Sequence, residues 1–149
     1  MALYYLDTSA LVKLYIVEQG SDRVLALADR FSRNQLAILS LAVVEFRSAI
    51  RRRERNGDLA ANVANEVLET FRRHLETRFA AQHVTDYVLD TACRLVDRHC
   101  LRAGDAVQLA GYVILRRSAL PDVPLFVCSD RELLAAAAQE GAPVFDPCS

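Results

Sequence analysis

Four acidic side chains, Asp7, Glu45, Asp105 and Asp130, are the residues of this chain best suited to chemistry. Each lies where a short apolar segment gives way to a helical pattern, or within a turn or two of a helix start. Asp7 closes Leu3-Tyr4-Tyr5-Leu6, and Glu45 follows Ala37-Ile38-Leu39-Ser40 by one helical turn. Asp105 opens the helix after Leu101-Arg102-Ala103-Gly104, and Asp130 closes Pro124 through Ser129. Acids collected from such distant positions repel one another unless a cation holds them, and oxygen donors suit Mg²⁺ or Mn²⁺ rather than zinc or copper. Ser9, two residues past Asp7, is short enough to orient that carboxylate or a metal-bound water. Its alternative is to cap the helix that follows.

The elements that must position these acids are legible as alternating strand and helix patterns. Residues 3–6, 36–39 and 125–128 read as strands, with shorter ones at 82–84 and 143–145. Helical patterns cover Ser9 to Tyr15, a segment from Gly20 carrying Val24, Leu25, Ala28 and Phe31, and Ser40 to about Asn56, with Ser40 as N-cap. They continue from Leu59 to Ala80, where Val63, Val67, Phe71, Leu75 and Phe79 recur every four residues, and over 86–99, 105–117 and 130–140. Asn56-Gly57-Asp58 breaks one helix and Gly141 stops another. This alternation predicts an α/β fold, a three-layer α/β/α sandwich around a parallel sheet of four to five strands. The acids would then lie along the sheet edge formed by the strands' C-terminal ends, where open α/β sheets bind ligands.

With 149 residues and no linker, repeat or low-complexity tract, residues 1–149 are expected to form one domain, with a helical pair at about 41–80. Charged residues make up 25% of the chain and apolar ones 52%, which excludes a disordered chain. The longest uncharged run, Asn34 to Val44, is too short to span a bilayer, and Asp7 interrupts any signal-peptide core. A cytoplasmic location is the expectation. No CxxC pair occurs and the three histidines are scattered, which argues against zinc. Cys93 and Cys100 share a helical face with Leu89, Ala92 and Val96, which assigns them to the core.

A net charge of −1 excludes coating of nucleic acid by bulk charge, but nearly all the positive charge is arginine. Arg51, Arg52, Arg53 and Arg55 form the densest group, and the guanidinium fork suits phosphate. A solvated helix face paired with acids such as Glu54 explains that group equally well. The acids also have a structural alternative. Asp105 with Gln108, and Ser129 with Glu132, have capping-box spacing, the latter placing Asp130 in a first helical turn. Asp7 and Glu45 fit that alternative less well, since Glu45 sits among Val43, Val44 and Phe46, where an unpaired carboxylate is costly.

Four blocks carry a resemblance to a known family. Asp7-Thr8-Ser9-Ala10-Leu11-Val12-Lys13-Leu14-Tyr15 resembles the opening motif of PIN domains, and in particular of VapC-type toxins. Ser40-Leu41-Ala42-Val43-Val44-Glu45, Leu101 to Ala110, and Phe126 to Leu133 resemble the second, third and fourth blocks, in the family's order. Two positions depart from the pattern: Cys128 stands where threonine or serine is frequent, and Gly104 where a bulky residue is frequent.

The resemblance implies a PIN-like fold and a Mg²⁺- or Mn²⁺-dependent endoribonuclease, the toxin of a type II toxin–antitoxin pair neutralised by a VapB-type antitoxin. It also implies a homodimer. In this reading Asp7, Glu45 and Asp105 are the main metal ligands and catalytic acids, Asp130 binds a second ion or reaches the first through water, and Ser9 orients the cluster. Arg102 and the group of Arg51 and Arg52 would bind flanking RNA phosphates. The apolar faces of the helices at 41–56 and 60–80 are candidate surfaces for either protein partner. A catalytically silent PIN-like binding module is the alternative. A phosphatase with Asp7 as nucleophile is a third reading, weakened because Ser9 stands where such enzymes carry a second aspartate.

Overall fold

The computed structural model describes residues 2–29 and 33–149. Five parallel strands form one sheet in the order β3-β2-β1-β4-β5. They are β1 (Leu3–Leu6), β2 (Gln35–Leu39), β3 (Phe79–Gln82), β4 (Leu125–Val127) and β5 (Val144–Phe145). The connections are α1 (Thr8–Val12) and α2 (Ser21–Leu27), then α3 (Leu41–Arg55) and α4 (Ala61–Thr77), then α5 (Asp86–Arg98) and α6 (Ala103–Ser118), and finally α7 (Arg131–Gln139). Phe31, expected on the second helix, lies outside the described residues. Among those described, no helix is long and apolar enough to cross a membrane.

The sheet separates two cores, as strict alternation along its strands requires. Tyr5, Ala37, Leu39 and Phe126 face α5, α6 and α7, whereas Leu6, Leu36, Ile38 and Val127 face α1, α3 and α4. The first core is organised by Tyr5, Tyr112 and Phe126, whose rings meet at 5.2–5.8 Å. Gly111 brings α6 close to the sheet: a Cβ there would stand 2.7 Å from both Leu39 Cδ1 and the Tyr5 hydroxyl. In the second core Tyr15, Phe46 and Phe71 make edge and tilted contacts at 4.2–5.6 Å.

Three local expectations change. The helix expected to reach Ala80 ends at Thr77, and Phe79 opens β3, paired with Leu36. The four-residue period runs through the boundary because Phe79, as a strand residue, still packs on Phe71 in the same core, 6.0 Å ring to ring. Ser40 takes helical dihedrals and makes no side-chain cap; its Oγ accepts the Val84 amide at 3.1 Å instead. Finally, α5 buries Val88, Thr91, Ala92 and Leu95, leaving Cys93, Cys100, Leu89 and Val96 exposed. The apolar stripe on this helix is wide, and the edge that packs inward, chiefly against α6, lies one residue away from Cys93.

The helical pair α3 and α4 spends its apolar faces on the second core, through Ala42, Phe46 and Ile50 against Ala64, Leu68 and Phe71. Val44 and Val63 are the exposed apolar residues left on it.

Candidate active site

Strand order reverses between β1 and β4, the two neighbours from which the chain runs outward in opposite directions. Open α/β sheets bind ligands at such a switch point, outside the strands' carboxyl ends. Asp7 leaves β1 there and its amide donates to Val127 O at 3.0 Å, extending the ladder to β4. Asp7 is itself the N-cap of α1, and its Oδ2 accepts from the Ser9 amide at 3.2 Å and the Ser9 hydroxyl at 2.7 Å. Ser9 is therefore not the cap. It is a bridge, because its Oγ also accepts the Ser129 amide at 3.0 Å. Burial pushes the Asp7 pKa up, while the Ser9 and Cys128 bonds pull against it.

Glu45, on the second turn of α3, is held by two side chains. Its Oε1 accepts from Gln108 Nε2 at 2.6 Å and from Thr8 Oγ1 at 2.9 Å. Gln108 is fully buried on α6, and its Oε1 and backbone carbonyl accept the Tyr5 hydroxyl at 3.2 and 2.9 Å. Burial, then the charges of Asp7 and Glu45, raise the Tyr5 pKa, so this hydroxyl stays a donor. Gly104 lets the start of α6 approach Glu45, since a Cβ on it would stand 3.3 Å from Glu45 Oε2.

Asp105 lies in the first turn of α6, whose N-cap is Arg102. Its pKa is pushed up to about 6 by burial first, then by the charges of Asp7, Asp130 and Glu45, with Arg102 opposing. All three other acids are thus within electrostatic reach of it. Asp130 caps α7, with Oδ1 accepting the Leu133 amide at 3.0 Å, so the capping role is real and leaves Oδ2 free among the described residues. Cys128 joins two of the acids: its Sγ lies 3.2 Å from the Asp130 amide and 3.5 Å from Asp7 Oδ2.

Residues 4–111 match the sequence profile of the PIN domain. The chain belongs to the PIN domain family. Solved structures agree in fold. PAE2754 from Pyrobaculum aerophilum is 25% identical, with a TM-score of 0.63 over 96% of this chain and 83% of that one. VapC20 of Mycobacterium tuberculosis, described as a sarcin-ricin loop cleaving toxin, is 18% identical, with a TM-score of 0.64 over 91% and 95% of the two chains. VapBC2 from Rickettsia felis, solved with a DNA fragment from its promoter, is 11% identical at a TM-score of 0.65, covering 97% and 98%. No curated protein matches the chain in sequence.

Within this PIN domain the donor chemistry fits a hard divalent ion. The four carboxylates crowd one strand-end edge, and among the described residues none forms an ion pair with a basic side chain. Glu45 Oε2 and Asp130 Oδ2 also lack hydrogen-bond partners there. As they stand, no three converge closely enough to grip one ion, among the described residues. The uncompensated charge that lifts Asp105 is what a bound cation would relieve.

The arginines divide. Arg102 is near enough to Asp105 to lower its pKa, and Arg52 lines a cleft with Glu45. Arg51 is committed to Glu54 at 2.8 Å, beside its own helix. Sequence reasoning missed Thr8 and Gln108 as holders of Glu45, and Tyr5 as the residue that holds Gln108. The available signal was Gln108 itself, a polar residue between Val107 and Leu109 on an otherwise apolar helix stretch, which needs a buried partner.

Proposed function

We propose that this PIN domain is a metal-dependent endoribonuclease, the toxin of a toxin–antitoxin pair acting in the cytoplasm. The observation that carries this reading is the acid quartet at the β1/β4 switch point, none of whose members is ion-paired to a basic side chain among the described residues. Asp7, Glu45 and Asp105 would hold Mg²⁺ or Mn²⁺, with Asp130 beside them. Such an ion acidifies water, neutralises a phosphate and stabilises a leaving oxygen.

The chain's own residues supply the positioning. Ser9 fixes Asp7 to the loop after β4, at 2.7 and 3.0 Å on its two sides. Gln108 and Thr8 fix the Glu45 carboxylate and leave one oxygen toward the cluster. Burial raises the carboxyl pKa of both Asp7 and Asp105, the latter to about 6, so protonation of these two competes with a cation as pH falls. The Cys128 thiol replaces a hydroxyl at the junction of Asp7 and Asp130, and burial keeps it protonated as a weak donor.

Likeness to solved toxin–antitoxin proteins supports an antitoxin partner, whose basic side chain entering the quartet would be favoured electrostatically. A homodimer belongs to the same reading. The test is cleavage of RNA by purified protein in Mg²⁺ or Mn²⁺ and in excess EDTA. Undiminished cleavage in EDTA, or Asp7→Asn protein cleaving at the parental rate, would sink the metal role. A folded protein silent in both metals would instead favour a binding module, for which the commitment of Glu45 Oε1 to Gln108 and Thr8 is the supporting observation.

A further inference from the structure

The face of α3 that carries Glu45 continues through Ser48 and Ala49 to Arg52, spacings of three, four and seven residues that keep all four on one side of the helix. Together with Thr8 and Val44 they line a cleft of 370 Å³ that opens on the Glu45 carboxylate. Its chemistry changes along its length. Thr8 bonds Glu45 Oε1, Ser48 adds a second hydroxyl one turn along α3, Val44 offers an exposed apolar rim, and Arg52 lines the cleft two turns from Glu45.

Arg52 stands out by its place on the helix. Arg51 is paired with Glu54 at 2.8 Å, Arg53 with Glu18 at 2.9 Å, and Arg72 on α4 with Glu69 at 2.6 Å. Arg47, Arg52 and Arg55 have no acidic partner among the described residues, and of these three Arg52 is the one that lines the cleft with Glu45. Seven residues of helix separate it from Glu45, about 10 Å along the axis.

We infer that this cleft is a substrate subsite, in which Arg52 binds a phosphate of single-stranded RNA on a nucleotide neighbouring the one at the carboxylates. The inference rests on the ribonuclease reading and adds the path of the strand to it. An acidic centre repels a polyanion, and this chain has no bulk positive charge to offset that. A free guanidinium set back from the acids supplies local attraction without competing for their cation, and its fork holds phosphate through paired hydrogen bonds. The Val44 rim gives a ribose or base an apolar surface beside the charge.

Steady-state cleavage of a mixed-sequence 12-nucleotide single-stranded RNA in Mg²⁺ or Mn²⁺, from low to moderate salt, tests this for the parent, Arg52→Ala, Arg52→Lys and Arg72→Ala. Arg52→Ala is expected to raise KM about tenfold with kcat nearly kept. It should also flatten the dependence of log(kcat/KM) on log[salt] by about 0.7, the loss of one phosphate contact on a single strand. Arg52→Lys should restore the salt slope and only part of the KM, and Arg72→Ala, which removes the same charge elsewhere, should stay within about twofold of the parent. If the parent cleaves while Arg52→Ala keeps both its KM and its slope, or if Arg72→Ala matches Arg52→Ala, the subsite is wrong and the ribonuclease reading stands. A folded parent that cleaves no RNA in either metal overturns both.

Discussion

Replacing Asp105 by Asn should make the metal-free protein more stable while removing its activity. The carboxyl of Asp105 has its pKa pushed from 3.8 to about 6, by burial and by Asp7, Asp130 and Glu45. Between those values the folded protein holds a proton that the unfolded chain has lost. Stability therefore falls as pH rises from about 4 to about 6, and stays reduced above that. Full conversion at about 1.4 kcal/mol per pKa unit would give roughly 3 kcal/mol, and solvent access at this half-buried site cuts it to the order of 1–2 kcal/mol. Asn cannot ionise, so Asp105→Asn recovers this at pH 7.5. For a domain of this size that is a Tm increase of about 2–6 °C. At pH 4.5 the parent is already largely protonated, and the two proteins should melt nearly together. The assay is thermal melting by circular dichroism in EDTA at both pH values, followed by titration with Mg²⁺ or Mn²⁺, which should raise the parent's Tm more than the variant's. An Asp105→Asn protein that melts at or below the parent at pH 7.5, or gains equally at both pH values, refutes the claim that mutual repulsion strains this cluster. Its RNA cleavage should fall by about 100-fold or more.

Other outcomes follow from the same contacts. Gln108→Leu removes the 2.6 Å donor to Glu45 and one acceptor of the buried Tyr5 hydroxyl, and should cost about 1–3 kcal/mol in urea unfolding together with most of the cleavage rate. Gln108→Glu adds a fifth acid, so its melting deficit should be larger at pH 7.5 than at pH 5. Gly111→Ala forces a methyl to within 2.7 Å of Leu39 and Tyr5, and should destabilise by about 1–3 kcal/mol by denaturant titration. With Ellman's reagent, exposed Cys93 and Cys100 should react in the native protein, and buried Cys128, its thiol pKa raised chiefly by burial, only after unfolding.

The frame of this fold was legible because its strands are short apolar runs and its helices keep their period. β1, β2 and β4 lie within a residue of their expected limits, and the edge strand at Val144–Phe145 was expected at 143–145. Local pattern failed where two structures share one face. Phe79 satisfies the helical period and the strand alike, and α5 carries more apolar surface than its packing against α6 covers. In the candidate site the acids were visible as charges interrupting apolar runs. Their supports were not, because hydrogen bonds such as Gln108 to Glu45 join residues 63 apart in sequence. Gln108 has capping-box spacing from Asp105, yet its amide serves a carboxylate on another helix.

The pairing of β1 with β4 has a consequence for the order in which the molecule is completed. One edge of β1 pairs with β2, but on the other edge Tyr4 to Leu6 find their partners at Leu125 to Val127, after three helical crossovers have been synthesised. Contacts so distant in sequence form late and slowly in folding. The strand that leads into Asp7 keeps that second edge open until β4 arrives. Cys128, Ser129 and Asp130 arrive with that strand and close around it. No fragment that ends before them holds the whole quartet, so the centre comes into existence only when β4 has docked beside β1.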